Sequence, residues 1–283
     1  MAIFTNQATL TYNGNTVNSN IVTGNIIEVL TINKTALVNT YSGGDSTTYV
    51  ISLTNTDTTA LSGITLTDNL GAYTFGETTL VPLDYTEGSL AYYVNGVLQT
   101  TPTISSTSPL TVTGISVPAG GNAIIIYETT SNAFAPLSTG STIVNEVSAS
   151  YPGISEPVTA TETITITAAP ILGITKELTP VNVTENSSLT YTFTISNTGN
   201  APAEISDNAV ITDTFNPILS NITVTLNGDI LPPTSYTYDE TSGLFATASG
   251  AITVPAATFT QNPVTGEWIT APGIATLTVT GTV

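Results

Sequence analysis

Apolar and polar residues alternate with a period of two along most of the chain. Thr48-Tyr49-Val50-Ile51-Ser52-Leu53, Ile143 to Tyr151, and Leu189-Thr190-Tyr191-Thr192-Phe193-Thr194-Ile195 each set one group of side chains against a core and turn the next away from it. Turn signals separate these runs at short intervals: Asn13-Gly14, Gly43-Gly44-Asp45, Asn95-Gly96, Gly120-Gly121, Asn227-Gly228 and Pro232-Pro233. Many short alternating runs with this punctuation predict an all-β sandwich. No stretch of useful length carries a helical period, and the abundance of Thr, Val and Ile favours strands.

The pattern also repeats at long range. Lys34-Thr35-Ala36-Leu37 aligns with Lys176-Glu177-Leu178-Thr179, Tyr49 with Tyr191, and Thr54-Asn55-Thr56-Asp57 with Ser196-Asn197-Thr198-Gly199. Leu66-Thr67-Asp68-Asn69-Leu70 then matches Ile211-Thr212-Asp213-Thr214-Phe215, and Val94-Asn95-Gly96 matches Leu226-Asn227-Gly228. The strand after Gly120-Gly121 matches the one after Ala271-Pro272-Gly273. The chain therefore reads as two copies of one module.

The copies are out of phase with the chain. The first continues with two further strands, Thr142 to Tyr151 and Val158 to Thr167, for which the second has no counterpart before Val283. Counterparts stand at the start instead. Phe4 to Tyr12 matches Ile143 to Tyr151, with Asn6 on Asn145 and Tyr12 on Tyr151, and Ile21 to Leu30 parallels Val158 to Thr167. The expected organisation is a donor strand pair at 1–32, a complete sandwich at 33–168, and a sandwich lacking its last two strands at 169–283. A sandwich short of two strands exposes core and strand edges. Filling that gap from the next subunit gives a heterologous, non-closing contact, which builds filaments.

Composition narrows the chemistry. The 283 residues carry 20 acidic side chains against two lysines, for a net charge of −18. That charge disfavours nucleic acid and anionic membrane surfaces as partners. Histidine and cysteine are both absent, which removes the commonest general base, the thiol nucleophile and the usual zinc ligands. The chain is not expected to be an enzyme, to hold a cofactor or metal, or to insert into a membrane. Its N-terminus, Met1-Ala2-Ile3-Phe4-Thr5-Asn6, lacks the basic and apolar regions of a secretory signal.

The order Lys, Tyr-x-Ile/Phe-x-Leu/Ile-x-Asn-Thr, Thr-Asp-x-Leu/Phe and then an Asn-led strand resembles the conserved-repeat family of bacterial surface proteins. That family is built of immunoglobulin-like modules and includes the Bacillus anthracis repeat domain of unknown function. The resemblance covers nearly the whole chain. Two-module acidic chains of this size also resemble subunits of the ribbon-like appendages of clostridial spores, which implies an extracellular or spore-surface fibre.

The only two lysines, Lys34 and Lys176, fall on equivalent positions of the repeat. A charged residue at a strand start is ordinarily solvated surface, but that does not account for their being the only basic side chains kept. Burial of a lysine favours the neutral, nucleophilic amine. The resemblance implies that such an amine attacks an Asn carboxamide beside a protonated acid, forms an isopeptide bond and releases ammonia. Alignment then gives Lys34, Asp68 and Asn145 within module one. In module two it gives Lys176 and Asp213, with Asn6 of a neighbouring subunit as the amide partner. Asp68 and Asp213 are the acids that the repeats share. Glu128, whose counterpart is Thr280, is an alternative for module one, and an Asx-type turn cap is the plain structural role for both Asp residues.

Weaker signals remain. Asn33-Lys34-Thr35, Asn182-Val183-Thr184, Asn186-Ser187-Ser188 and Asn221-Ile222-Thr223 match glycosylation sequons, which a chain rich in Thr and Asn produces by chance. Asp239-Glu240 and Asp207 lack the spacing of a calcium loop. Trp268 and Tyr236-Thr237-Tyr238 suit packing better than a carbohydrate surface. The expected partner is the chain itself, in a head-to-tail homopolymer. The alternative is a monomeric adhesin or stalk module whose N-terminal strands close on their own module two.

Overall fold

A computed structural model of the chain describes residues 2–26, 28–154 and 156–283. Apart from two single-turn 3-10 helices, its regular structure is β. The expected parallel between Ile21 to Leu30 and Val158 to Thr167 runs through Ile27, which lies outside the described residues, as does Met1.

The chain opens with β1 (Ala2–Asn6), β2 (Thr9–Tyr12), β3 (Asn15–Asn18) and β4 (Val22–Ile26). These form one long hairpin, β1 antiparallel to β4 and β2 to β3. Its turn is Asn13-Gly14, with φ of 45° and 80°, the paired positive values that a two-residue hairpin requires. The sequence match to Ile143–Tyr151 suggests one continuous strand, but the structure breaks it at Gln7-Ala8. There the Ala8 amide donates to Ser19 Oγ (2.9 Å) and Gln7 Nε2 donates to the Ser19 carbonyl (2.8 Å), which interrupts the ladder. Phe4 lies across Gly24 of the paired strand, where no side chain competes with its ring.

Module one begins with β5 (Leu30–Ala36), β6 (Thr40–Tyr41), β7 (Ser46–Asn55) and β8 (Leu61–Asp68). Short strands follow: β9 (Tyr73–Phe75), β10 (Thr78–Leu80), β11 (Leu83–Tyr85), β12 (Ala91–Val94), β13 (Val97–Leu98) and β14 (Thr103–Thr107). The long strands β15 (Leu110–Val117), β16 (Asn122–Ser131), β17 (Thr142–Ser150) and β18 (Val158–Ile166) complete it. One sheet has the order β13-β12-β16-β7-β5 and the other β14-β15-β8-β17-β18-β6. Alternate residues of the central strands, such as Tyr49, Ile51 and Leu53 against Ile64, Val112 and Val147, are buried between them.

Module two comprises β19 (Leu172–Thr179), β20 (Ser188–Asn197), β21 (Thr212–Thr214), β22 (Ser220–Leu226), β23 (Asp229–Ile230), β24 (Tyr236–Tyr238), β25 (Leu244–Thr247), β26 (Thr258–Gln261), β27 (Trp268–Ala271) and β28 (Gly273–Thr282). Its first sheet, β23-β22-β28-β20-β19, repeats the order of module one strand for strand. Its second is only β24-β25-β21. These correspond to β14, β15 and β8, so the positions of β17, β18 and β6 have no occupant among the described residues.

The repeated Asn-Thr phrase serves the fold. Asn55 is buried at the end of β7, and its carboxamide donates to the Thr59 and Pro118 carbonyls (2.8 and 3.0 Å) while accepting from the Asp57 amide (2.9 Å). Asn197 does the same with Ala201, Pro255 and the Gly199 amide. Each staples one strand end to the facing loop with every polar atom satisfied.

The β26–β27 hairpin reaches back to module one. The Trp268 amide donates to the Ala133 carbonyl (2.9 Å), and Gln261 Nε2 donates to the Tyr73 hydroxyl (2.9 Å). Asn200 Nδ2 adds a bond to the Leu137 carbonyl (3.1 Å). Trp268 thus packs at the joint between modules. Tyr236 and Tyr238 pack against the module-two core, where the Tyr236 ring lies 5.8 Å from Phe245.

Candidate cross-linking sites

Five strands and one loop assemble the module-one site. Lys34 stands mid-way along β5 on its inward face, and its side chain is fully buried. Asp68 is the last residue of β8, and Val147 of β17 pairs with it directly. Asn145 lies two residues back along β17, on the same face by the pleat, and is also fully buried. Lys34 Nζ donates to Asp68 Oδ2 at 2.6 Å. The Tyr127 hydroxyl, on β16, donates to the same oxygen at 2.5 Å. Asp68 Oδ1 accepts the Leu70 amide at 3.0 Å, so the Asx-turn role and the lysine partnership coexist on one carboxylate.

The Asn145 carboxamide is held from one side only. Its Oδ1 accepts the Gly71 amide at 3.2 Å, while Nδ2 is buried without a hydrogen-bond partner. The hydroxyls of Tyr49 and Tyr127 both face this carboxamide closely enough to interact with it, and the Tyr49 hydroxyl too has no hydrogen bond formed. Gly71 has φ of +74°, and a Cβ there would strike Ile143 on β17. The position therefore needs glycine on two counts. Burial pulls the Lys34 ammonium down from its ordinary 10.5 to about 8, against the opposing pull of Asp68, Glu162 and Glu146. Burial raises both tyrosine hydroxyls well above their usual range.

In module two, Lys176 Nζ donates to Asp213 Oδ2, the same pairing on the equivalent strands β19 and β21. Asp213 Oδ1 accepts the Thr214 amide at 2.8 Å. The surroundings differ. The lysine side chain is 39% exposed and that of Asp213 19%. Nζ lies over Tyr191 at 4.3 Å, with Phe193 and Phe215 each at 5.5 Å, an aromatic cradle with one open side. That side is where β17 stands in module one. Leu30 of β5 is 1% exposed, whereas its counterpart Leu172 is 43% exposed. Leu172 and Ile174 of the edge strand β19, with Val210 and Ile211 of the segment leading into β21, line an apolar groove.

The sequence candidates thus fall into two groups. Lys34, Asp68 and Asn145 come together, as do Lys176 and Asp213. Asn6 is exposed on β1, paired with Val22, away from both sites. Glu128 does not serve as the acid: it is exposed on the outer face of β16, because alternation turns its neighbour Tyr127 inward instead. The alignment passes over Tyr127 because its counterpart in module two is Val279. The available signal was an aromatic hydroxyl at an inward position of β16, following the inward Ala123 and Ile125.

The weaker candidates have structural roles. Asp239 caps its own turn, accepting from Thr241 and Ser242, and those bonds lower its carboxyl to about 2. Asp207 accepts the Glu204 amide at 2.7 Å. Among the described residues no group of three or more acidic side chains is placed to hold a metal ion, and no helix is long and apolar enough to cross a membrane.

No protein-family model matches the chain, and no curated protein matches it. Among solved structures, the pilus backbone RrgB of Streptococcus pneumoniae aligns over 86% of this chain and 55% of its own length, at 12% identity and a TM-score of 0.35. The collagen-binding domain of a Staphylococcus aureus adhesin aligns over 50% of this chain and 99% of its own, at 14% identity and a TM-score of 0.31. The collagen-binding subdomain of the Enterococcus faecalis surface protein ACE aligns over 49% and 99%, at 10% identity and a TM-score of 0.30. Scores this low leave the reading of this chain to its own geometry.

Proposed function

We propose that this chain is a structural subunit of an extracellular, surface or spore-surface fibre, polymerising head to tail by strand donation and locked by self-formed Lys–Asn isopeptide bonds. One observation carries the reading. Module two presents a lysine–aspartate pair, an apolar groove and a free strand edge where module one buries the same pair behind β17. The N-terminal hairpin supports it from the other side. Phe4, Leu10 and Tyr12 of that hairpin are more than half exposed, and in sequence they stand at even spacings from Asn6. Laid along β21 as β17 lies along β8, the β1–β2 segment of a second copy sets these apolar side chains over the groove and Asn6 opposite Lys176.

In this reading Lys34 and Asn145 join within module one, and Lys176 joins Asn6 of the neighbouring subunit. Asp68 and Asp213 act as the acids that assist bond formation. The conserved-repeat resemblance fits such a role. The alternative, a monomeric adhesin or stalk module, requires the hairpin to fold onto its own module two; among the described residues its strands pair only with one another, which favours donation.

The test is denaturing electrophoresis with intact-mass analysis of assembled material. A ladder that survives boiling, with a peptide joining Lys176 to Asn6 and about 17 Da lost per bond, is the expected result. A single band lighter by two ammonias selects the self-closed monomer, and a single band at the unmodified mass removes both bonds.

A further inference from the structure

Forming the Lys34–Asn145 bond requires two proton movements: Nζ loses one, and the departing Nδ2 gains one. Asp68 touches Nζ, but no hydrogen bond links it to Nδ2. The Tyr127 hydroxyl spans the interval. It donates to Asp68 Oδ2 at 2.5 Å and faces the carboxamide whose nitrogen is buried without a partner. It is itself fully buried, so water does not compete for the position.

We propose that Tyr127 is the proton relay of module one, carrying the Asp68 proton to the Asn145 nitrogen as ammonia leaves. This rests on the isopeptide reading above. The reactive form has Lys34 as a neutral amine and Asp68 as a carboxylic acid, reached from the ion pair by a proton transfer across their 2.6 Å contact. Nζ attacks Cγ of Asn145, the new Nζ–Cγ bond forms, and the carbonyl electrons move onto Oδ1, where the Gly71 amide stabilises the oxyanion. Tyr127 gives its hydroxyl proton to Nδ2 and takes the one on Asp68. The Asp68 carboxylate then accepts a proton from the positively charged Nζ. The Cγ–Nδ2 bond breaks, the carbonyl reforms and ammonia departs. Asp68 and Tyr127 end protonated as they began, and the net change is amine plus carboxamide to secondary amide plus ammonia.

Module two has no such hydroxyl. Val279 stands at the Tyr127 position on β28, paired with Tyr191 as Tyr127 is with Tyr49. The Tyr191 hydroxyl donates to the Asn216 carbonyl at 3.3 Å. The relay therefore speeds the bond inside module one and leaves the joint between subunits slower.

The experiment follows mass loss after the full chain, isolated unfolded in denaturant, is refolded by dilution. Tyr127→Phe is expected to slow the Lys34–Asn145 bond by roughly a hundredfold, the usual scale for one acid–base group. Site-specific fluorotyrosine at 127 keeps the ring and its hydrogen bond but alters hydroxyl acidity, and is expected to change the rate. The pH profile gives a third readout. Lys34 is faced by Asp68, Glu162 and Glu146, with Tyr49 and Tyr127 beside the pair. A mechanism needing one shared proton on the Lys34–Asp68 pair loses rate above about pH 8, whereas simple attack by the free amine gains rate up to that point and then levels. An unchanged Tyr127→Phe rate, a fluorotyrosine rate equal to wild type, or a rate that climbs and levels overturns the relay while leaving the bond. Wild-type chain that loses no ammonia overturns the bond and the relay together.

Discussion

Lys34 and Lys176 are the same residue of the same repeat, each paired with the same aspartate, yet one is sealed and the other half open. The difference lies in the strands that module two lacks, β17 first among them. Where β17 lies along β8, the pair is fully dry, and its lysine is pulled toward neutrality. Where the edge of β21 is free, aromatic rings alone shelter the ammonium, and a substantial part of its side chain meets water. A strand in this fold is therefore more than scaffold: it supplies the low-dielectric wall that pulls a lysine toward the neutral amine and, on the proposed reading, the carboxamide that this amine attacks. On the proposed reading, module two is an unfinished copy of module one that becomes reactive only when another subunit completes it.

The largest expected effect separates the two sites completely. Lys176→Ala or Asn6→Ala abolishes the boiling-resistant ladder and leaves the module-one mass loss in place. Lys34→Ala or Asn145→Ala does the reverse, keeping the ladder while each subunit retains one more ammonia. Electrophoresis and intact mass of the four variants check this, and a ladder persisting in Lys176→Ala breaks the comparison outright.

Stability of the unpolymerised chain gives the next contrast. A cross-link closing roughly a hundred residues of chain restricts the unfolded state by about 4–5 kcal/mol in the chain-entropy account. Asn145→Ala should therefore lower the denaturation free energy of module one by several kcal/mol. Asn6→Ala, exposed on β1, should leave it within about 0.5 kcal/mol. Guanidinium titration of the monomers measures both.

The acids should differ in the same direction by less. With the bond blocked by Asn145→Ala, Asp68→Asn strands a buried ammonium and should cost about 3 kcal/mol or more at pH 7. Asp213→Asn removes the partner of a lysine that water already reaches, and should cost under about 1 kcal/mol. Equal costs would mean that the β21 edge is covered in solution, even in the monomer.

Much of this was legible in the sequence. The alternation around Tyr49 and Tyr191, the three Asn-Gly turns with their positive φ pairs and the Lys/Asp spacing give the sandwich, its duplication and both lysine–aspartate pairs. Three features were not legible, each for a physical reason. Tyr127 is hidden because a comparison of repeats finds what the copies share, and this residue belongs to one copy. Gly71 contributes through a backbone amide and a clearance from Ile143, neither of which is carried by a side chain. The interruption at Gln7-Ala8 depends on Ser19 reaching across the hairpin to bond the Ala8 amide, a contact that alternation within one strand does not encode.

The last contrast is a pH dependence at the sealed site. In Asn145→Ala, where Lys34 stays a free amine, the folded chain holds it at about 8 against 10.5 for the ordinary side chain. Between those values the unfolded chain binds the extra proton, so stability rises with pH across this window. Below about pH 8 both states carry the charge, and the full cost of burying it is felt; above 10.5 neither does, and the gain is complete. Denaturation midpoints of Asn145→Ala and of Asn145→Ala with Lys34→Met, compared from pH 7 to 11, isolate this contribution because the remaining titrating groups are common to both. The chain that keeps Lys34 should gain stability relative to its Lys34→Met partner as pH rises. A pH-independent gap at Lys34 would mean that its ammonium is already solvated, which would remove the sealed site from the comparison and the nucleophile from module one.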